Sequence, residues 1–255
     1  MRIIHLSDLH LTADDKHQNN QNAWRACDHI IRQYAIAKGE TVIVATGDLT
    51  DNALEDERRA LIALLAVLRM HFTVLCCPGN HDYALAGNVL DREAVGLFRS
   101  VIGSPGFPTV WHSRNEPITF VGLDSADPED EVWFARGIIG KQQLAGLKRL
   151  LTVAKNRHRS VVVYLHHHPI VHKVGHMLKD HVALMRRMRW RVACCLFGHN
   201  HEAATYIEAI DGMPLLLASG MSSKPDENNN LSYQIILTND GQIEDGIYTE
   251  TIRGM

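Results

Sequence analysis

Residues 72–82, Phe-Thr-Val-Leu-Cys-Cys-Pro-Gly-Asn-His-Asp, join an apolar run to a polar turn. The run from Phe72 to Pro78 is short and rich in β-formers, which predicts a buried strand. Asn80, His81 and Asp82 then offer an amide oxygen, an imidazole nitrogen and a carboxylate on one turn. Proline and Gly79 fix this turn and let the backbone approach a ligand. On its own, this segment would be interpreted as an ordinary polar turn. It indicates a functional site because other predicted strands end in the same way.

Four further predicted strands also end in polar side chains. The segments that follow them are Asp8-Leu9-His10, Gly47-Asp48-Leu49-Thr50-Asp51, His166-His167-His168-Pro169 and Gly198-His199-Asn200-His201. Helices are predicted between the first three strands, from Trp24 to Tyr34 and from Leu54 to Met70. This β-α-β-α-β order predicts a parallel sheet, and ligands gather beyond the carboxyl ends of such strands. We therefore expect these polar groups to lie together.

The rest of the chain is less regular. Apolar runs predict strands over Pro117 to Leu123, Ser160 to Leu165 and Val192 to Phe197, and Leu144 to Ala154 has the periodicity of an amphipathic helix. Short strands with tight turns after residue 204 predict a mixed or antiparallel extension of the sheet. The fold class is therefore α/β. With no linker or repeat, residues 1–255 are expected to form one domain.

Composition limits the classes of function. No apolar run is long enough to cross a bilayer, and Asp8 lies where a signal peptide needs apolar residues, so a cytoplasmic protein is expected. Five cysteines without a CxxC motif argue against disulfides or structural zinc, and indicate small buried side chains. A net charge of −3 gives no general attraction to nucleic acid or to anionic lipid.

The strand-end groups form a metal-ligand set without thiolates. Its members are Asp8, His10, Asp48, Asn80, one of the three consecutive histidines, His199 and His201. Oxygen and imidazole ligands suit Mn, Fe, Zn or Ni. Seven donors exceed the needs of one tetrahedral ion and fit two ions of higher coordination number. Asp-x-His and His-x-His are expected to converge because alternate strand residues share a face.

These five segments, in this order, resemble the motifs of the calcineurin-like metallophosphoesterase family. The resemblance spans almost the whole chain and implies a four-layer α/β/β/α sandwich of two mixed sheets flanked by helices. Gly137 to Leu147, and the short connection after Pro169, are most similar to small bacterial cyclic-nucleotide and glycerophosphodiester phosphodiesterases.

The resemblance also implies roles for individual residues. One metal site would hold Asp8, His10 and His201, the other would hold Asn80, His167 and His199, and Asp48 would bridge them. His167 is chosen because the family's metal histidine precedes x-Pro, and His166 and His168 remain alternatives. His81 would stabilise the phosphate or protonate the leaving group, with Asp51 orienting its ring.

The function implied is hydrolysis of a small soluble phosphodiester by hydroxide that two divalent or mixed-valence ions activate, Mn or Fe first and Zn as an alternative. Neither a nucleic acid nor a membrane partner is expected, and a homo-oligomer is left open. The alternatives are a recombination-type DNA nuclease, which needs a basic surface, and a binding scaffold that has lost its metals.

Other polar residues receive simpler interpretations. Asp82 and Asp124 are expected to hydrogen-bond their own loops. His172, His176 and His181 follow the metal histidine and would line a substrate pocket only as a minority alternative to solvated histidines. Arg186 to Arg191 is interpreted as a solvated helix end with Trp190 packed inward, and the alternative is a site for phosphate or an acidic partner.

Overall fold

The computed structural model of the chain describes residues 1–15, 17–37, 39–85, 89–90, 92–104, 106–126, 135–170, 176–206 and 211–253. The helices are α1 (Asn19–Tyr34), α2 (Glu55–Arg69), α3 (Arg92–Ile102), α4 (Gly140–Asn156) and α5 (His181–Met188). The strands are β1 (Arg2–Leu6), β2 (Thr41–Thr46), β3 (Thr73–Cys77), β4 (Ala84–Leu85), β5 (Val89–Leu90), β6 (Thr109–His112), β7 (Ile118–Gly122), β8 (Ser160–Tyr164), β9 (Cys194–Phe197), β10 (Ala204–Tyr206), β11 (Leu215–Ala218), β12 (Leu231–Asn239) and β13 (Gln242–Ile252).

The first sheet has the order β13-β12-β1-β2-β3. β1, β2 and β3 are parallel neighbours, as the β-α-β-α-β pattern predicts. β12 returns antiparallel beside β1, and β13 pairs antiparallel with β12 at the sheet edge. The three parallel strands therefore end at one edge, where the polar turns begin.

The second sheet has the order β10-β11-β9-β8-β7-β6. β7, β8, β9 and β11 are parallel, and the antiparallel strands β6 and β10 form its two edges. The predicted mixed sheet is confirmed. The segments after β8 and β9 carry the histidines, so they leave this sheet at the carboxyl ends of its parallel strands.

Three apolar layers hold the two sheets and their helices together. Ile4 and Ile43 pack on one face of the first sheet with α1 and α2, whereas Ile3 and Val42 face the second sheet. On the far side, α4 and α5 pack over the second sheet. Adjacent residues of β1 and β2 are apolar because both faces of these strands are covered. The predicted four-layer α/β/β/α sandwich is confirmed.

Three elements differ from the sequence-based prediction. Helix α1 begins at Asn19, ahead of the predicted start at Trp24. Asn19 is buried, and its side-chain amide donates to the carbonyl of His10 at 2.9 Å, so a tertiary contact compensates for the low helix propensity of asparagine. Helix α3 and strand β6 were not predicted, although Ala94, Phe98 and Ile102 recur at helical spacing and are buried in α3.

The prediction that Trp190 packs inward was wrong. Trp190 is 67% exposed, and its φ of 62° turns the chain so that the indole lies against Gly212 at the surface. Helix α5 ends at Met188, before the Trp190 position.

Other predictions have simpler outcomes. All five cysteines are buried and unpaired, as expected of small apolar side chains. Among the described residues, no helix is both long and apolar enough to span a bilayer. His172 lies outside the described residues.

Candidate metal centre

The segments that follow β1 and β2 run side by side. The backbone N–H groups of Asp8 and His10 donate to the carbonyls of Gly47 and Asp48, at 3.0 and 2.9 Å. Leu11 continues this pairing with the segment Leu49–Thr50. The Asp-x-His and Gly-Asp segments are therefore fixed relative to each other by backbone hydrogen bonds.

Asp82 ties the turn after β3 to the segment after β2. One carboxylate oxygen accepts hydrogen bonds from the N–H groups of Leu49 and Thr50 and from the Thr50 hydroxyl, at 2.8–3.0 Å. The other accepts from the N–H of Gly79 at 2.9 Å. Burial and the charge of Asp48 raise the pKa of Asp82 to about 7. Asp82 thus stabilises loops, as predicted, but it joins two of them instead of one.

Two glycines allow acidic side chains to approach the backbone. A side chain at Gly79 would overlap the carboxylate and the N–H of Asp48. A side chain at Gly198 would overlap Ser7 and the carboxylate of Asp8. Only glycine leaves this space, so Gly79 is required for the packing of the Asp48 carboxylate and Gly198 for the packing of the Asp8 carboxylate.

The backbone is left-handed at five of the seven predicted metal ligands. Their φ values are 53° at Asp8, 42° at His10, 49° at Asp48, 76° at His199 and 58° at His201. Such conformations are uncommon for residues other than glycine and cluster at functional sites. In Asp8-x-His10 and His199-x-His201, the two side chains converge because of these left-handed turns. The alternation of side chains along a strand, on which the prediction was based, is therefore not the cause.

Asp8, His10 and His201 form one ligand cluster, with ligand atoms within 4.8 Å of one another. His201 Nε2 lies 3.4 Å from an Asp8 carboxylate oxygen, and His10 Nε2 lies 3.1 Å from His201 Nε2. Asp8 and His10 are buried, whereas the side chain of His201 is 42% exposed. The cluster therefore opens to solvent on the His201 side.

Asp48, His166 and His199 form a second cluster at the same spacing. His166 Nε2 lies 3.1 Å from an Asp48 oxygen and 3.1 Å from His199 Nδ1. The same Asp48 oxygen lies 3.8 Å from His10 Nε2. Asp48 consequently stands between the two clusters.

The three consecutive histidines have different surroundings. His168 turns away, with its ring packed on Phe197 and Tyr206. The ring of His167 lies 4.5 Å from that of His199, with Nδ1 at 2.9 Å from the Ser125 hydroxyl. The structure thus brings His166 and His167, but not His168, to the centre.

The predicted pair of His81 and Asp51 is present with altered contacts. Nδ1 of His81 donates to the backbone carbonyl of Asp51 at 2.6 Å. The Asp51 carboxylate accepts from His10 Nδ1 at 2.9 Å and lies 3.8 Å from His81 Nδ1. Asp51 therefore orients both rings, His81 through its main chain and His10 through its side chain. Asn80 precedes His81, whose N–H donates to Asp48 at 2.9 Å.

Buried charges shift the pKa values of this group. Burial lowers the pKa of His10, but the hydrogen bond to Asp51 and the charges of Asp48 and Asp8 outweigh it and raise the pKa to about 9. His166 is raised to about 9 for similar reasons, chiefly the Asp48 charge acting against burial. Burial, and then the charge of His167, hold the pKa of His199 well below its usual value. The centre therefore favours positive charge near Asp48.

Comparison with known proteins identifies the family. The family model described as calcineurin-like phosphoesterase matches residues 1–203. The chain belongs to this family. It is therefore a metal-dependent phosphoester hydrolase of the calcineurin-like type.

Relatives agree with this assignment. Over 223 residues the chain is 26% identical to a probable glycerophosphodiester phosphodiesterase GpdQ of Arcobacter nitrofigilis, covering 80% of this chain and 73% of that one. A dimetal phosphatase from Danio rerio shares the fold with a TM-score of 0.70 at 15% identity, covering 100% and 96% of the two chains. A 5'-nucleotidase precursor from Thermus thermophilus gives a TM-score of 0.56 at 11% identity, covering 99% and 54%.

The residues present fit the divalent ions that this family uses. The ligand atoms are carboxylate oxygens and imidazole nitrogens, which suit Mn, Fe and Zn. His199 Nε2 is buried and has no hydrogen-bond partner among the described residues. Because a buried polar atom normally has a partner, this nitrogen is suited to a metal bond.

Sequence reasoning missed Ser125 as a site residue and left His176 as a minority alternative. The Ser125 hydroxyl accepts from the N–H groups of His166 and His167 and contacts His167 Nδ1, so it sets the course of the histidine segment. Its position after β7 was the available signal. His176, which the sequence left as a minority pocket residue, has its ring 5.3 Å from that of His199. His181 instead contacts the carbonyl of Leu178.

Proposed function

We propose that this calcineurin-like phosphoesterase is a phosphodiesterase that hydrolyses a small soluble diester, of the cyclic-nucleotide or glycerophosphodiester type, at a pair of divalent ions. The observation that carries the proposal is the position of Asp48, whose carboxylate oxygen lies 3.1 Å from His166 and 3.8 Å from His10, between two ligand clusters. A carboxylate in this position is suited to bridge two ions.

The proposed ligands are Asp8, His10 and His201 for one ion and Asn80, His167 and His199 for the other, with Asp48 shared. Bound there, Mn or Fe, with Zn as the alternative, would supply Lewis acidity and lower the pKa of a water molecule. His166 is assigned a different role. Its Nδ1 donates to the Thr46 carbonyl at 2.8 Å and its Nε2 faces Asp48, so it would hold that carboxylate in place.

His81 is the proposed general acid. Its Nδ1 donates to the Asp51 carbonyl, so Nε2 is the nitrogen left to exchange a proton with a substrate. The side chain is 27% exposed, and its ring lies 4.7 Å from that of His10. It would deliver a proton to the departing alkoxide oxygen, a step typically worth about 10²–10⁴-fold in rate.

The size of the neighbouring cavity favours a small substrate. A cavity of about 400 Å³ opens beside His201 and is also lined by Lys224, Asp226, Asn230 and Ser232. That volume lies in the range of small-molecule sites. Lys224 offers a cation for the diester charge, and the polar side chains suit sugar or glycerol hydroxyls. The similarity to a glycerophosphodiester phosphodiesterase supports the same class.

A substrate panel with Mn-loaded protein tests this proposal. It compares cyclic nucleotides, glycerophosphodiesters, dinucleotides, phosphomonoesters and single-stranded DNA. We expect turnover of one of the first two classes, loss of that turnover after chelation or in Asp48→Ala, and recovery when Mn is returned to the wild type. Turnover that persists in metal-free protein, or digestion of DNA alone, would overturn the proposal.

A further inference from the structure

A second cavity, of about 590 Å³, lies at the end of α4 and α5. Its lining includes five cationic side chains and one tryptophan, namely Lys155, Arg159, Arg186, Arg189, Arg191 and Trp190. Lys155 lies in the last turn of α4, and Arg159 directly precedes β8. Arg186 is in α5, and Trp190 and Arg191 precede β9. We call this cavity the basic pocket.

The basic pocket lies at the opposite end of the second sheet from the metal centre. Arg159 and Arg191 come before β8 and β9, whereas His166 and His199 come after them. A strand rises about 3.3 Å per residue, so strands of this length separate the two sites. A ligand in the basic pocket would therefore be distinct from the substrate.

The cations of the pocket are not matched by carboxylates among the residues that the structure describes. In the part of the chain that the structure describes, none of the five forms an ion pair with a carboxylate. Arg159 is held by the carbonyls of Ser113 and Ile118, at 2.8 and 2.6 Å, and Arg189 by the carbonyl of Asp211 at 2.9 Å. Five cations that line one cavity give it a positive potential, which attracts an anion.

Trp190 gives the pocket a flat aromatic surface. It is 67% exposed, although a tryptophan of this size normally buries most of its area. The backbone N–H of Trp190 donates to the Gly212 carbonyl at 2.6 Å, and Gly212 packs directly against the indole. The guanidinium of Arg189 lies 5.8 Å from the ring centre. The indole is therefore fixed in place with much of its surface open to a planar ligand.

We propose that the basic pocket is a second ligand site, for a nucleotide that carries two or more phosphates. Arginine and lysine side chains bind phosphate oxygens, and an exposed indole stacks on a base. The cavity volume lies in the range of small-molecule sites. All five cations line one cavity, so the pocket suits a compact anion, whereas a nucleic-acid strand needs cations along its length.

The test measures binding of ATP to the full-length chain by calorimetry and tryptophan emission. Tripolyphosphate, adenosine and a single-stranded oligonucleotide serve as comparison ligands. The variants are Trp190→Ala and the double variant Arg186→Gln with Arg191→Gln. Arg32→Gln is the control, because it removes one exposed cation from α1, over the other sheet. Any ATP bound at the metal centre is common to all variants.

We expect ATP to bind the wild type and the control with equal affinity. Trp190→Ala should bind ATP no more tightly than it binds tripolyphosphate, because the base no longer contributes. Loss of stacking should weaken ATP binding by roughly 5- to 100-fold. The double arginine variant should weaken ATP and tripolyphosphate alike and reduce the salt dependence of both.

Three results would overturn the proposal. The first is equal ATP affinity in all variants, which would place the binding at the metal centre. The second is equal affinity of the wild type for ATP and tripolyphosphate, which would identify a site for adventitious anions only. The third is oligonucleotide binding tighter than ATP binding, which would identify a nucleic-acid surface.

Discussion

The carboxylate of Asp51 accepts a hydrogen bond from Nδ1 of His10 at 2.9 Å. This bond leaves Nε2 of His10 as the nitrogen that faces Asp48, at 3.8 Å. A carboxylate on the far nitrogen of a metal-binding histidine fixes its tautomer and orients its ring. Asp51 is therefore placed to act on the metal centre through His10 as well as on His81.

Asp51→Asn and His81→Ala should have separable effects. Loss of the Asp51 charge should weaken binding of the ion at the His10 site by about 10- to 100-fold. His81→Ala should retain both ions and lower kcat by about 10²–10⁴-fold. Metal titration followed by kinetics at saturating Mn distinguishes them. If Asp51→Asn binds metal like the wild type, the bond to His10 has no role in the centre.

The three consecutive histidines should differ in their effect on metal content. His167→Ala should lose one ion per chain, and His166→Gln should keep both ions at reduced affinity because Asp48 loses its hydrogen-bond partner. His168→Gln is the matched control, since its ring packs on Phe197 away from the centre. Elemental analysis of the purified variants measures all three. Loss of one ion in His166→Gln with none in His167→Ala would exchange the two assignments.

Gly198→Ala should disrupt the metal centre through sterics alone. The added methyl would overlap the Asp8 carboxylate and Ser7, so Asp8 must move and metal binding and activity should both fall. Gly96→Ala is the control, because it lies in α3 with no atom within 4 Å of its new methyl. That control should raise the unfolding free energy by about 0.5–1 kcal/mol. Urea denaturation and metal analysis report the two effects, and normal metal binding in Gly198→Ala would contradict the packing argument.

His5 should make the metal-free protein less stable in acid. It is fully buried, with Nδ1 donating to Gln234 at 3.0 Å and Nε2 at 3.0 Å from the Thr46 hydroxyl. Burial lowers its pKa from 6.5 to about 4. Since the unfolded chain binds this proton first, stability is unaffected above pH 6.5 and falls between pH 6.5 and 4, by about 3 kcal/mol in total.

The measurement compares wild-type protein with His5→Gln, both with chelator present, by urea denaturation at pH 7.5 and 5. Glutamine does not titrate, so the variant should lose less stability over this interval than the wild type. Parallel losses in the two proteins would show that His5 is not the titrating group.

The alternation of apolar runs and polar turns predicted the parallel strands β1, β2 and β3 and the helices between them, whereas the division into two sheets came from the family resemblance. β2 is buried on both faces, and β1 and β3 are buried over most of their length, so their sequences are largely apolar and easily recognised. Helix α3 was missed although Ala94, Phe98 and Ile102 recur at helical spacing, and strand β6 is only four residues long. Trp190 was misjudged because its left-handed backbone depends on contact with Gly212, far along the chain.

At the candidate site, the sequence identified which residues gather and missed how they are held. The left-handed turns at Asp8 and Asp48 depend on pairing between their two segments, which no local pattern encodes. The same holds for Ser125, whose hydroxyl binds a histidine segment some forty residues later. Asp51 contacts His10 through its carboxylate and His81 through its backbone carbonyl, and this too depends on the three-dimensional arrangement.

The central claim is that Asp48 lies between two bound ions. Anomalous diffraction from crystals grown with Mn²⁺ tests it most directly. The account predicts two peaks, roughly 3.5–4 Å apart as in other two-metal sites, with the Asp48 carboxylate contacting both. A single peak, or an Asp48 carboxylate that contacts one ion alone, would contradict it.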